Sequence, residues 1–259
     1  FTEMVYKYGW NVPKTRKSEN DAFELESLYK MATSAARSSV PEYRDFLEYF
    51  NNENYADRQI EPILGHESKW KTLNQQTEAL VLTASFQIVF MEAIRHLRNA
   101  VTLCKDSTYY EHHPLDQAAA LLIGSLEGQN FDGSSDWDDG LLVWNLGNKR
   151  AFQFQRINNQ GYAIVNEKLL DLLHAARGEL DAGVCDPLEL TVSRILKLMQ
   201  VGIMQTILAA AVQSDGQKDN SESTSLVQGE VLAKAILPLI NAQDPDTAEL
   251  LKENMEIRN

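Results

Sequence analysis

The stretch QQTEALVLTASFQIVFMEAIRHLRNAVTLC, residues 75–104, decides the fold. Its middle is apolar nearly all the way round the 3.6-residue helical period. A helix of that kind has no face to offer water, so it belongs at the centre of a bundle. A second long apolar run, residues 187–213, opens at Asp186-Pro187 and reads the same way.

The flanking segments are shorter and also helical in pattern. Residues 22–38 follow an Asn20-Asp21 start and space Phe23, Leu25, Leu28, Met31 and Ala35 at helical intervals. Pro41 opens PEYRDFLEYF, with Tyr43, Phe46, Leu47 and Phe50 on one face. HPLDQAAALLIGSLEG, residues 113–128, predicts a short core helix over 114–127, opened by Pro114 and closed by Gly128, with Gly124 inside it for close helix packing. GLLVWNLGNKRAFQFQ (140–155), residues 165–178 ending near Gly178, and GEVLAKAILPLINA (229–242) also predict helices, Pro238 kinking the last or ending it a turn early. Asp244-Pro245 caps a final short one, TAELLKENM. SDGQKDNSESTS (214–225) reads as a flexible surface loop. Strand signals are almost absent. The expected fold class is therefore all-α: one helical domain over 1–259, a bundle with two long central helices and several short ones, with 1–40 as an N-terminal extension packed on it.

Composition narrows the function classes. With 259 residues and 44% hydrophobic side chains, a sizeable core is available. The 24 basic and 37 acidic residues give a net charge of −13. That charge argues against a nucleic-acid partner, since phosphate contacts need clustered Lys and Arg, and against docking on anionic membranes. No apolar run reaches the roughly 18–20 residues of a membrane span; the longest, GIMQTILAAAV, contains Gln205. The two cysteines, Cys104 and Cys185, fit either one disulfide or two buried thiols, and a large domain does not need the bridge.

Motifs for catalysis are missing. There is no G-x-S-x-G, P-loop, G-x-G-x-x-G, H-E-x-x-H or zinc cysteine pattern. A di-metal carboxylate bundle would need Glu-x-x-His motifs, and none is present. The loop 132–140, DGSSDWDDG, fails as an EF-hand because Trp137 stands where the loop needs glycine. The chain does not read as an enzyme.

Several groups remain as candidate ligands. Glu92 and His96 lie four apart on one helix face, as a polar pair or a metal pair. His112 and His113 precede the 114–127 helix, whose first turn carries Asp116. Tyr49, Tyr55 and Asp57 sit in EYFNNENYADRQ, where a helix gives way to a polar turn. Phenolate and carboxylate oxygens are hard donors suited to Fe³⁺. Ionising a phenol near neutral pH takes the charge of the metal itself, because a free phenol has a pKa of about 10. Such sites often add an anion held by arginine, and Lys149-Arg150 supplies a cation.

Taken in order, YADRQI (55–60), AIRHLRNAVTLC, LDQAAALLIGSLEG, LLVWNLGNKRAFQF, VNEKLLDLL, Gly183-Val184-Cys185, ILKLMQVGIMQTIL and GEVLAKAILPLINAQDPDTAELLKENM resemble the low-iron-inducible, iron-assimilating periplasmic proteins of algae and the related phytotransferrins of diatoms. The likeness runs over most of residues 45–255, and GSLEG with the downstream Lys-Arg is its sharpest part. The resemblance implies an extracytoplasmic protein, secreted, periplasmic or at the cell surface, that binds ferric iron together with carbonate for high-affinity iron uptake. It implies a metal set of Tyr49, Tyr55, Asp57 and Asp116, with Arg150 as the anion partner and Gln117, Glu92 and His96 as further candidates. The oxidising setting it implies favours a Cys104–Cys185 disulfide.

The chain departs from the family pattern at telling places. Gln117 stands where Glu is usual and Leu122 where Tyr is usual; Ala151 and Gln243 stand at customary cysteines. Phe50-Asn51 replaces Tyr-Gly, and Gln59 replaces Trp. One carboxylate and two phenols are thereby lost as hard donors. Two readings follow: a ferric carrier whose partners are a metal ion and a small anion, or a relative that has lost metal and serves as a structural or protein-interaction domain.

Overall fold

The computed structural model describes residues 28–33, 39–65, 67–106, 114–124, 141–216 and 223–255. The short helices α1 (Leu28–Thr33), α2 (Pro41–Phe50) and α3 (Asp57–Leu64) lead into the rod α4 (Leu73–Lys105). After α5 (Pro114–Ile123) and α6 (Val143–Gln153) come α7 (Ile164–Asp181), α8 (Cys185–Met199), α9 (Val201–Gly216), α10 (Ser225–Asn241) and α11 (Pro245–Asn254). Among the described residues the sole extended pairing is an isolated antiparallel bridge, Ile157 to Ala163. The all-α bundle is as the sequence predicts.

The rod α4 starts in a capping box: the Thr72 side chain accepts from the Gln75 backbone, and the Gln75 side chain reaches back to the Thr72 N–H. Midway, Ala84–Val89 widens into a π-helical segment, with the Phe90 N–H bonding back to Ser85. Its apolar centre is buried as expected: Phe86, Ile88, Phe90, Met91, Ile94 and Leu97 are all closed to solvent. The second rod is split at Gln200 into α8 and α9, where the Gln200 N–H bonds to Lys197 rather than one residue further back. By length and composition alone both rods are long and apolar enough to cross a bilayer, a property that buried core helices share, and 61% and 50% of their apolar windows are buried inside this fold. A third helix shares the centre. α10 is buried on nearly every side and packs on α9, α11, α4 and α2.

Several boundaries differ from the sequence-based expectation. Gly124 adopts φ +77°, a left-handed conformation natural to glycine, so it stops α5 at Ile123; the helix does not run to 127. Gly178 lies inside α7, which continues to Asp181. Pro238 sits within α10 without ending it. The polar turn expected within EYFNNENYADRQ gives way by Asp57 to a helix, α3, which runs to Leu64 despite Pro62. The expected 214–225 loop begins later, since α9 runs to Gly216 and α10 starts at Ser225; residues 217–222 and most of the 1–40 extension lie outside the described residues.

Two devices fix the bundle. Cys104 in the last turn of α4 is disulfide-bonded to Cys185 at the start of α8, 81 residues on. And α6 crosses α9 at two glycines: a Cβ on Gly202 would stand 3.2 Å from the Gly147 nitrogen, and one on Gly147 would stand 2.4 Å from the Asn166 side-chain oxygen. At Gly202 the limit is the α6 backbone itself, which would have to give by a few tenths of an ångström, whereas a side chain at Gly147 would displace the Asn166 side chain of α7.

Candidate functional site

The α2–α3 corner gathers three of the expected ligands, and packing gives each its own role. Tyr55 is buried in an aromatic group, its ring 5.0 Å from Phe46 and stacked on Phe50 at 5.4 Å and 13°. Its hydroxyl donates to the Gln87 carbonyl at 3.4 Å, inside the π segment of α4. Asp57 is buried at the first position of α3. Tyr49 points elsewhere in its chemistry. Its hydroxyl is closed to solvent and finds no hydrogen-bond partner among the described residues. Burial, with the Glu249 carboxylate of α11 adding to it, pushes its pKa above the usual phenol value.

The remaining candidates are committed to other helices. Asp116 on α5 is exposed and takes a forked pair of bonds, 2.9 and 3.0 Å, from Arg177 of α7. Arg150 of α6 is buried; its Nε donates to Thr206 Oγ1 of α9 at 2.9 Å and its Nη1 to Gln153. Thr206 in turn donates to the Gly202 carbonyl at 2.7 Å. Burial lowers the pKa of Arg150 from its ordinary value. Gln117 is half-buried on α5. The corner therefore holds Tyr49, Tyr55 and Asp57, while Asp116 and Arg150 serve the α5–α7 and α6–α9 contacts.

Glu92 and His96 do meet, 3.2 Å apart, and Arg95 joins them. Burial alone would raise the Glu92 pKa, but hydrogen bonds from His96 and Arg95 outweigh it and bring the carboxyl down to about 2. This is an ionic cluster on the flank of α4. Among the described residues no group of three or more His, Cys, Asp or Glu side chains is placed to hold a metal ion. His112, His113, the Ser125–Gly128 run and the acidic loop 132–140 lie outside the described residues.

What sequence reasoning missed is the set of residues around Tyr55. Gln87, fully buried, trades side-chain amide bonds with Gln59 of α3: Gln59 Nε2 to Gln87 Oε1 at 2.6 Å, and Gln87 Nε2 to Gln59 Oε1 at 3.3 Å. Beside this pair a groove of about 220 Å³ is lined by Phe50, Asn52, Tyr55, Arg58, Gln59 and Lys234. One signal was available. A lone amide in the apolar run ASFQIVF must find a partner once buried, and that requirement pointed to a second polar residue against α4.

The chain matches no protein-family model, no curated protein and no solved structure.

Proposed function

We propose that this chain is an extracytoplasmic helical domain, akin to the algal iron-assimilating and phytotransferrin-like proteins, that has given up ferric carriage and works as a structural or protein-interaction domain rather than an enzyme. The observation that carries this reading is the dispersal of the donor set: Tyr55 serves Gln87, Asp116 serves Arg177 and Arg150 serves Thr206. The Cys104–Cys185 bond supports the extracytoplasmic setting, since structural disulfides persist in oxidising compartments. The test is thermal unfolding of the purified protein with Fe³⁺ and bicarbonate. A ligand that binds the native state must raise Tm by mass action. The expected result is an unchanged Tm and a flat visible spectrum; a metal-dependent rise of several degrees would overturn the reading.

A second reading, ferric iron bound with carbonate, is favoured by Tyr49. Its phenol oxygen has no hydrogen-bond partner among the described residues and belongs to the same corner as Tyr55 and Asp57. A cation there would supply the charge that its ionisation needs. This reading predicts a tyrosinate-to-iron absorption band that disappears in Tyr49→Phe, and that fades on acidification as carbonate is protonated.

A further inference from the structure

Two adjoining hollows, about 220 and 280 Å³, border α3 and α10 and share Arg58, Gln59 and Lys234. In the second hollow Glu230, itself buried, is gripped from two sides by Lys69 and by Lys234 at 2.9 Å, so one carboxylate answers two ammonium groups. Glu67 is the other acid on that wall. Among the described residues the first hollow has no acid in its lining, and its cations are Lys234, already shared with Glu230, and Arg58. Arg58 meets no carboxylate among the described residues. A guanidinium fork at the edge of a recess walled by aromatic rings and neutral amides matches a planar, singly charged oxyanion. A phosphate dianion would ask for a second uncommitted cation, and none is present among the described lining residues.

The opposite wall sets the rest of the ligand. Phe50 and Tyr55 lie nearly parallel, and Phe50 is only partly buried. Tyr55 is held by its bond to Gln87, and Gln59, on the same lining, is held by the amide pair with Gln87. With Tyr55 buried behind it, the partly buried Phe50 ring is the aromatic surface against which a flat aromatic body is able to lie. Asn52 Oδ1 already accepts from the Asn54 N–H, leaving its NH₂ group as a donor for a second carboxylate oxygen. We infer that the recess between Phe50–Tyr55 and Arg58 binds a small aromatic monocarboxylate, its ring against the aromatic wall and its carboxylate on Arg58. This goes beyond the proposed function and stands whether or not the chain carries iron.

The test is a calorimetric titration of the full chain with sodium 2-naphthoate at neutral pH, with acetate and uncharged 2-naphthamide as separate arms. Saturable one-to-one binding of 2-naphthoate is expected, with acetate and 2-naphthamide at least tenfold weaker. Arg58 is exposed, so Arg58→Gln should keep the wild-type Tm while weakening 2-naphthoate at least tenfold. Arg194→Gln, which alters a separate hollow lined by Lys168 and Leu198, should leave binding unchanged. The inference is overturned if 2-naphthoate does not bind, if the amide or acetate binds as tightly, or if Arg58→Gln binds like wild type. An iron titration has no bearing on any of these outcomes, so this inference and the proposed function fail separately.

Discussion

The rods Leu73–Lys105 and Cys185–Ser214 are 33 and 30 residues long and similar in apolarity, yet they end in different surroundings. α4 is enclosed by α5, α8 and α10, and its one exposed large apolar side chain among the described residues is Leu73, at its first turn. α9 is covered by α6 and α10 on part of its circumference and shows Met204, Leu208 and Val212 to solvent, a row at four-residue spacing. Apolar composition thus sets how much a helix is able to bury; its neighbours decide how much it does bury. The enclosed rod also carries buried polar groups: Gln87 is met by Gln59 from α3, and Glu92 by Arg95 and His96 one turn on in the same helix.

The sharpest way to break the comparison is to cut the bond that ties the rods together. Replacing Cys104 and Cys185 by Ala should lower the unfolding free energy by about 4–5 kcal/mol, the chain-entropy estimate for a loop of this length. Urea denaturation measures it, and a loss under about 1 kcal/mol would mean that helix packing alone holds the rods in register. Next comes truncation inside the enclosed rod. Met91, fully buried in α4, should cost about 3 kcal/mol on mutation to Ala through lost packing and the cavity left behind.

The ionic cluster on α4 gives a pH test of similar or smaller size. The folded pKa of Glu92, about 2, lies below its ordinary value of 4.5, so its stabilisation is complete above roughly 4.5 and is lost as pH falls toward 2. The full effect is on the order of 3 kcal/mol. Between pH 6 and pH 3 the wild type should lose more stability than Glu92→Gln; parallel curves would sink the assignment. The smallest effect belongs to the open rod. Val212, 75% exposed, should change stability by less than about 0.5 kcal/mol when replaced by Ser, a value typical of surface sites. A larger loss would show that the exposed row is covered in solution.

The central rods were legible because an all-round apolar pattern admits few alternatives to burial. α3 was not, because DRQIEPIL is short, largely polar and interrupted by Pro62, and its helicity comes from packing Ile60 and Ile63 into the core. The π segment was hidden for a different reason. It changes the hydrogen-bond register without changing composition, and only the Tyr55 and Gln59 contacts to Gln87 distinguish it. Of the expected site, Tyr49, Tyr55 and Asp57 are close in sequence, but the Tyr49 phenol lies near Glu249 of α11 and the Tyr55 hydroxyl bonds to Gln87 of α4. Asp116 and Arg150 are distant in sequence, and nothing in a single chain marks Arg177 or Thr206 as their partners. Arg58 drew no notice because a lone surface arginine has no motif; its setting comes from Phe50 and from Lys234 on a helix far along the chain.

The crossing of α6 over α9 bears on how this chain is free to change over generations. Gly147 and Gly202 allow the approach, and three and four residues further along, Arg150 and Thr206 are close enough to bond. Alanine at Gly202 would press on the α6 backbone beside the Arg150–Thr206 bond, while alanine at Gly147 would press on the Asn166 side chain of α7. Change at Gly202 is therefore tied to the residues that bond beside it, whereas change at Gly147 is tied to a third helix.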